Sequence, residues 1–262
     1  MLYLIIILVI IYLSYKLIDI HTHDVEIDRQ SVYNDDIKNE IKILHLTDLH
    51  FDFNKKYQTK ILNLINNIEY DILLFGGDYI NHKQYMINLN EFLRKIENKK
   101  QAFAVFGNHD YQYNLKKINK IFSQNNIKIL NNEYAQLVIK KNEVNLIGIG
   151  SPDIDKDDYN KTVKNLDLTN SINILLSHCY YIIEKENLNQ INLVLVGDTH
   201  GYQINLPIIR NILKTKFDLK YTAGKYILNH LILIVNRGLG TIKLPFRINS
   251  KPELLLLSLD NK

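Results

Sequence analysis

The chain has a single cysteine, Cys179. That excludes an intrachain disulfide and any metal cluster built on several thiolates, and leaves the residue as a small core side chain rather than a nucleophile. Neither alanine nor glycine occurs in the first seventy residues. No basic stretch precedes the apolar start either, so both the small-residue cleavage site and the charged leader of a secretory signal are missing. Like charges are not gathered into a block. The formal net charge of +4 is spread over Lys-rich segments, which reads as solvated surface, and no nucleic-acid partner is expected. No internal repeat is found, and no low-complexity tract beyond a bias to Asn and Lys. What is present is enough apolar material for one sizeable core, 46% of 262 residues, and a single domain is expected.

The amino terminus is the most apolar part. "MLYLIIILVIIYLSY" is fifteen residues without a charge, followed by Lys16, Leu17 and Ile18. With Lys16 snorkelling, this approaches the roughly 20 residues of a spanning helix. Residues 1–18 are therefore expected to be a membrane anchor, residues 19–40 a polar linker, and residues 41–262 the catalytic domain. Lys16, Arg29 and the later lysines favour a cytoplasmic face for that domain at the inner membrane, single-pass or peripheral, although Asp19, Asp24, Glu26 and Asp28 are interspersed.

From residue 41 short apolar runs alternate with helical or polar segments. "IKILHLTDLH" predicts a strand ending in Asp48 and His50, "KILNLINNIE" a helix, and "YDILLFGGDYINH" a strand ending in Asp78. "INLNEFLRKIEN" predicts the next helix, and "QAFAVFGNHDY" a strand ending in Asn108 and His109. This βαβαβ order implies parallel strands with helical crossovers. After a helix near 114–123, "IKIL", "AQLVIK" and "VNLIGIG" are expected in an antiparallel or mixed second sheet. "INILLSHCYY" and "INLVLVGDTHG" end in His178 and in Asp198 and His200, and "YILNHLILIVNRGLG" and "ELLLLSL" complete the strands.

Five strand ends thus carry metal-competent side chains. One Asp or His at a strand end is better explained as a cap or turn residue. Five point to convergence, because open α/β sheets bind ligands beyond the carboxyl ends of their strands.

The series "DLH", "GGD", "GNHD", "SHC", "GDTH" resembles, in order, that of the calcineurin-like metallophosphoesterases over residues 43–201. The resemblance implies an α/β fold, a four-layer αββα sandwich, preceded here by an apolar helix. It also implies two divalent cations bridged by Asp78, with Asp48, His50 and His200 completing one site and Asn108, His178 and residue 198 serving the other. Such a pair, roughly 3.5–4 Å apart, can bind phosphate oxygens, lower the pKa of a water and stabilise both oxygens of an in-line displacement. The bridging position suits a carboxylate, whose two oxygens can reach two cations. His109 is then not a ligand but the catalytic histidine, a donor to the phosphate or leaving oxygen. Asn81 either orients His109 or is a turn residue.

Position 198 departs from the family, which usually has histidine there. An aspartate offers a hard, anionic oxygen, tilting the choice of cation to Mn²⁺ first, with Mg²⁺, Fe²⁺ and Zn²⁺ as alternatives; loss of the second site is the competing outcome. The stretch "VNRGLGTIKLPFRINSKPELLLLSL" is similar to the membrane-anchored branch of YkuE and YaeI, with Gln203, Arg237, Gly238, Arg247, Pro252 and Glu253 matching. Gln203 and Arg237 are taken as candidate substrate-binding residues. Some members of the wider group hydrolyse UDP-2,3-diacylglucosamine to lipid X and UMP in lipid A synthesis. A lipid-linked nucleotide is therefore the leading substrate and the membrane the leading partner. An anchored phosphodiesterase or phosphatase on a soluble substrate, and an inactive metal-binding scaffold, are the alternatives. Between Gly201 and Gly224, apolar residues from Ile204 to Phe217 alternate with Arg210, Lys214, Lys216 and Lys220. That composition suits either an interfacial surface beside the metals or a loop and helix covering the sheet.

Overall fold

The computed structural model describes residues 2–52, 54–99 and 101–261. Alternation along the first motif strand, β2 (Ile41–Leu46), sets the layering: Ile41 and Ile43 enter a core shared with a second sheet, and Leu44 and Leu46 face helices, as the period of two requires. The first sheet has the order β1 (Glu26–Tyr33), β12 (Glu253–Asp260), β2, β3 (Ile72–Phe75), β4 (Ala102–Ala104), β5 (Lys128–Ile129). Its members β2 to β5 are parallel. They are joined through α2 (Lys55–Asn66), α3 (Met86–Arg94) and α4 (Leu115–Gln124).

The second sheet runs β10 (Gly224–Leu228), β11 (Leu231–Val235), β9 (Leu193–Val196), β8 (Ile172–Leu176), β7 (Asn142–Gly148), β6 (Glu133–Ile139). Its outer pairs are antiparallel, and β11, β9, β8 and β7 are mutually parallel. Ile43, Leu74 and Val105 meet Leu146, Ile174 and Leu195 between the sheets. Each such side chain stabilises the fold by about 1.5–3 kcal/mol. Ile61, Leu89, Phe92 and Phe122 pack helices on the outside of the first sheet, and Tyr159, Tyr180 and Leu188 cover the second, beside α5 (Tyr159–Val163) and α6 (Ile182–Lys185). The result is two sheets flanked by helices, the layer order that the resemblance implies. The Asn bias has structural uses. Asn54 and Asn114 cap α2 and α4, accepting from the N–H groups of Tyr57 and Lys117.

Three expectations change. Residues 26–33 lie in the stretch read as a linker, yet they form β1, parallel to β12 from Glu26↔Glu253 to Tyr33↔Asp260. The strand is polar because it lies at a sheet edge, where pairing needs no apolar side chains on the outer face. "IKIL" contributes only Lys128–Ile129 and joins the first sheet beside β4 rather than the second. The apolar start folds as α1 (Leu2–His23), but among the described residues no helix is long and apolar enough to cross a membrane.

The last turn of α1 is docked on the domain. Thr22 Oγ1 accepts from the Arg247 N–H at 2.9 Å, His23 meets Asn54 at 3.2 Å and stacks edge-on against Tyr57, and Lys60 donates to the His23 carbonyl. In contrast α7 (Pro207–Phe217), in the segment after the last motif, buries none of its residues.

Candidate metal centre

The parallel strands β2, β3 and β4 of one sheet and β8 and β9 of the other deliver their carboxyl ends to one place. Five of the expected ligands sit there at positive φ: Asp48 (51°), His50 (39°), Asp78 (57°), Asp198 (72°) and His200 (51°). Left-handed backbone costs a residue with a Cβ about 1–3 kcal/mol, and it clusters at sites where the surroundings impose it. Here it turns consecutive polar side chains of one tight loop toward the same point. Two glycines make room. A Cβ on Gly107 would collide with Asp78 Oδ1, and one on Gly197 with Asp48 Oδ2.

Asp48, His50 and His200 form one group whose ligand atoms lie within 4.8 Å of one another, and Asp48, Asp78 and His178 form another. Nε2 of His200 is 3.4 Å from Asp48 Oδ1. Asp78 Oδ2 lies 3.4 Å from Nε2 of His50 and 3.5 Å from Nε2 of His178, so a single oxygen stands between the two groups. Its other oxygen accepts from the His109 N–H at 3.0 Å, which departs from the expectation that both oxygens serve the bridge. Asp198 Oδ1 is 3.5 Å from Nε2 of His178, and its backbone N–H donates to Asp48 Oδ2 at 3.1 Å. Asp48 Oδ1, both ring nitrogens of His50, Asn108 Oδ1 and Nε2 of His178 are buried with no hydrogen-bond partner. An orphaned buried polar atom costs about 1–3 kcal/mol, and Asp48, His50 and His178 among these belong to the two ligand groups. Their chemistry, carboxylate, amide oxygen and imidazole without thiolate, fits divalent cations.

The electrostatics are those of a site awaiting positive charge. Burial drives the Asp78 carboxyl well above the usual carboxylate range. Burial works the same way on Asp48, but His200 and the other histidines outweigh it and hold Asp48 low. Burial, reinforced by His200, presses His50 well below its ordinary value. At His178 burial is overcome by the Asp78, Asp198 and Asp48 carboxylates, which hold it high. A cation would relieve these conflicts, since it stabilises the carboxylates and takes the neutral imidazoles as ligands.

His109 stands apart from the ligand groups. It is half-buried, its ring edge-on to His50 at 5.3 Å, and burial with His178 nearby lowers its pKa. Asn81 does not orient it. The Asn81 amide donates to the carbonyls of His50 and Thr241 at 3.0 and 3.2 Å, bracing the loops around the first group. Asp110, the last residue of "GNHD", was given no role by the sequence. It accepts from the N–H groups of Asp78, Tyr79 and Gly107 at 2.8, 3.1 and 2.9 Å, and its burial raises its pKa to about 6. It ties the second and third motif loops together.

The two expected substrate-binding residues are committed elsewhere. Arg237 pairs with Glu253 and, at 2.8 Å, with Glu26 of β1. Gln203 lines the cleft, but its amide donates to the carbonyls of Ile242, Leu244 and Phe246 and accepts from the Ile242 N–H. Both stabilise the loop that follows β11. Arg247 is fully buried within it, donating to the carbonyls of Gly240, His200, Ser250 and Arg237 and approaching Nδ1 of His200 at 3.1 Å. The late "RGLGT" and "P.R" segments are thus a frame for the metal ligands.

Asn108, Asp198 and His200 line a cavity of about 730 Å³. Its walls include Pro152, Tyr181, Leu213, Phe217, Leu219 and Ile242.

Residues 41–202 match the calcineurin-like phosphoesterase family. Across 250 residues the chain is 26% identical to YkoQ, an uncharacterized metallophosphoesterase of Bacillus subtilis, covering 89% of this chain and 90% of that one. It is 28% identical to the metallophosphoesterase YkuE of the same organism (83% and 78% covered), and 27% identical to the phosphodiesterase YaeI of Escherichia coli (83% and 82%). Among solved structures, the Haemophilus influenzae NAD nucleotidase superposes with TM-score 0.53 at 16% identity, over 77% of this chain and 46% of that one. A 5'-nucleotidase precursor from Thermus thermophilus gives 0.53 at 13% identity, over 84% and 55%. The chain spans about half the length of these two structures, and the likeness is one of fold. With that fold, the full motif order and a buried donor set facing one cleft, the chain belongs to the calcineurin-like phosphoesterase family and is a metal-dependent phosphohydrolase.

Proposed function

We propose that this phosphohydrolase cleaves a phosphodiester or pyrophosphate bond in an amphiphilic substrate at a membrane surface, with UDP-2,3-diacylglucosamine, split to lipid X and UMP, as its first candidate. The observation that carries this reading is the cleft. Its floor is the metal centre, and one wall is apolar, with Leu213, Phe217, Leu219 and Tyr181 in its lining. A nucleotide or sugar phosphate alone would not use such a wall, whereas an acyl chain gains about 0.8 kcal/mol for each CH₂ it buries. Leu213 and Phe217 of this wall belong to α7, which exposes Ile208 (76%) and Ile212 (59%) and carries Arg210, Lys214 and Lys216. Apolar and basic residues on one helix suit an anionic lipid interface. Apolar side chains of α1, Tyr3, Tyr12, Tyr15, Leu17 and Ile20 among them, are likewise exposed. On this reading the catalytic domain works as a peripheral protein on the cytoplasmic face of the inner membrane, with the exposed apolar side chains of α1 lying on the lipid surface rather than across it.

Within the site, Asp48, His50 and His200 would hold one cation, and Asn108, His178 and Asp198 the other, with Asp78 between. Two cations, Mn²⁺ foremost, would supply charge for the phosphate oxygens and a water of lowered pKa. His109, half-buried beside His50, would donate a proton or hydrogen bond to the leaving oxygen. Asp110 and Arg247 fix the loops and so keep the ligand atoms in register.

The competing reading, a small soluble diester, is favoured by the YaeI relative, which is named a phosphodiesterase. A single panel decides: UDP-2,3-diacylglucosamine, a chromogenic diester and a nucleoside monophosphate, each with Mn²⁺, Mg²⁺ or Zn²⁺ and after chelation. The proposal expects metal-dependent turnover with preference for the acylated nucleotide. Hydrolysis of the small diester alone moves the function to the soluble substrate, and full activity in a chelated sample overturns the metal-dependent reading altogether.

A further inference from the structure

The amide of Asn108 must present oxygen, not nitrogen, to a cation, and its two ends are nearly equal in shape. In this protein the choice is made by a residue from the other sheet. After β7 the chain turns through a short 3-10 segment, Pro152–Ile154. There Asp153 Oδ2 accepts from Asn108 Nδ2 at 2.7 Å. An ionised carboxylate has no hydrogen to give, so it can hold only the nitrogen end of the amide. Oδ1 of Asn108 is thereby turned into the site, where it is buried with no hydrogen-bond partner. Asp153 is itself held. Its Oδ1 accepts from the Ser151 hydroxyl and, at 3.7 Å, from the thiol of Cys179, the neighbour of His178. The turn is closed by the Lys156 N–H donating to the Ser151 carbonyl at 3.0 Å.

We propose that Asp153 is the positioning residue of the second metal site: it fixes the Asn108 amide with its oxygen inward and so sets the affinity of that site without touching the first. This gives "GSPD" and the single cysteine a place in the chemistry. The inference rests on the two-cation reading of the site but not on any substrate. Partners that orient a ligand from behind are worth about 10–100-fold in metal affinity, and the Asp153 bond is such a partner.

The test uses the full chain, stripped with chelator and titrated with Mn²⁺ while free Mn²⁺ is followed by electron paramagnetic resonance. The unaltered protein is expected to bind two ions. Asp153→Ala should weaken the second by about 10–100-fold and leave the first unchanged, the first ion also reporting that the variant is folded. Asp153→Asn, whose amide can turn either its oxygen or its nitrogen to Asn108, should lose part of the second-site affinity, between the wild type and the alanine variant. Wild-type affinity in the alanine variant, or an unchanged second ion in both variants, would overturn the assignment. A pair swap covers a variant that fails to fold. Asn108→Asp alone sets two carboxylates against each other and should lose the second ion. Combined with Asp153→Asn, donor and acceptor are restored in reverse and the second ion should return. If the double variant binds no better than Asn108→Asp alone, the positioning role is wrong. These readouts need no turnover. A chain that shows the expected binding but cleaves none of the panel would sink the proposed substrate and leave this assignment standing.

Discussion

Nη2 of Arg247 lies 3.1 Å from Nδ1 of His200, so a fully buried guanidinium backs a histidine whose Nε2 faces Asp48. Burial pulls the Arg247 guanidinium down to about 10, still charged at neutral pH, and it is kept in place by four backbone carbonyls and, through its own N–H, by Thr22. Removing it would orphan those carbonyls and free the His200 loop. Arg247→Ala is expected to destabilise the protein by about 3–5 kcal/mol, the cost of breaking a buried charged network. Urea unfolding of metal-free protein measures it. A loss below 1 kcal/mol would show that the loop stands without this frame.

His109 is expected to matter for rate and not for metal content. Its ring stands edge-on to His50 outside both ligand groups, and only its backbone N–H reaches a ligand, Asp78. Alanine keeps that N–H. His109→Ala should therefore lower kcat by roughly 10²–10⁴, the usual worth of a positioned acid or donor, with two Mn²⁺ still bound. A fall in metal stoichiometry, measured by mass spectrometry of the desalted protein, would make His109 a ligand instead.

The metal centre was readable from the sequence because its residues sit where apolar runs stop. A strand end is a local feature, and five of them in family order leave little freedom. The frame around the centre was not readable in this way. Asp110 contacts residues about thirty positions away, Asp153 reaches back 45 residues to Asn108, and Arg247 reaches Thr22 across 225. Such pairings depend on which strands become neighbours, and no local pattern encodes that. Arg237 and Gln203 are the opposite case, since their motif does not announce the partners that hold them. Both occur in a motif near the site, where an Arg suggests a phosphate, but Glu253 and Glu26 already neutralise Arg237. β1 escaped notice because this edge strand puts only Val32 into the core, so it has no apolar alternation to find.

The position of β1 separates two truncations. Deleting residues 1–18 leaves Thr22, His23 and β1 in place, and the domain should fold with its thermal midpoint within a few degrees of the full chain. It should also be released from membranes, on the proposed role of α1. Deleting residues 1–33 strips β1 from β12, takes Glu26 from Arg237 and removes the Thr22 hydroxyl from the Arg247 N–H. A newly exposed strand edge is a template for aggregation. This shorter protein is expected to be insoluble, or to melt at least ten degrees lower. Equal melting of the two truncated proteins would mean that residues 19–33 contribute nothing to the fold and are a linker after all.

Asp198 is the position where this chain departs from its family, and its geometry makes the departure testable. Oδ1 lies 3.5 Å from Nε2 of His178, the histidine that also faces Asp78. Its side chain is partly exposed to the cleft, unlike the fully buried Asp48. A carboxylate there adds negative charge and a hard oxygen to a set that already contains the Asp78 carboxylate and the Asn108 amide, which suits Mn²⁺ or Mg²⁺ better than Zn²⁺. Exchange for histidine removes the charge and supplies nitrogen. In a competition titration with equal Mn²⁺ and Zn²⁺, Asp198→His should shift the second site toward Zn²⁺ by about tenfold or more, the first site serving as an internal reference. Some activity should survive, because every other ligand is kept. The same metal content and the same preference in both proteins would show that residue 198 does not coordinate. Its carboxylate would then act only as a wall of the cleft beside His178.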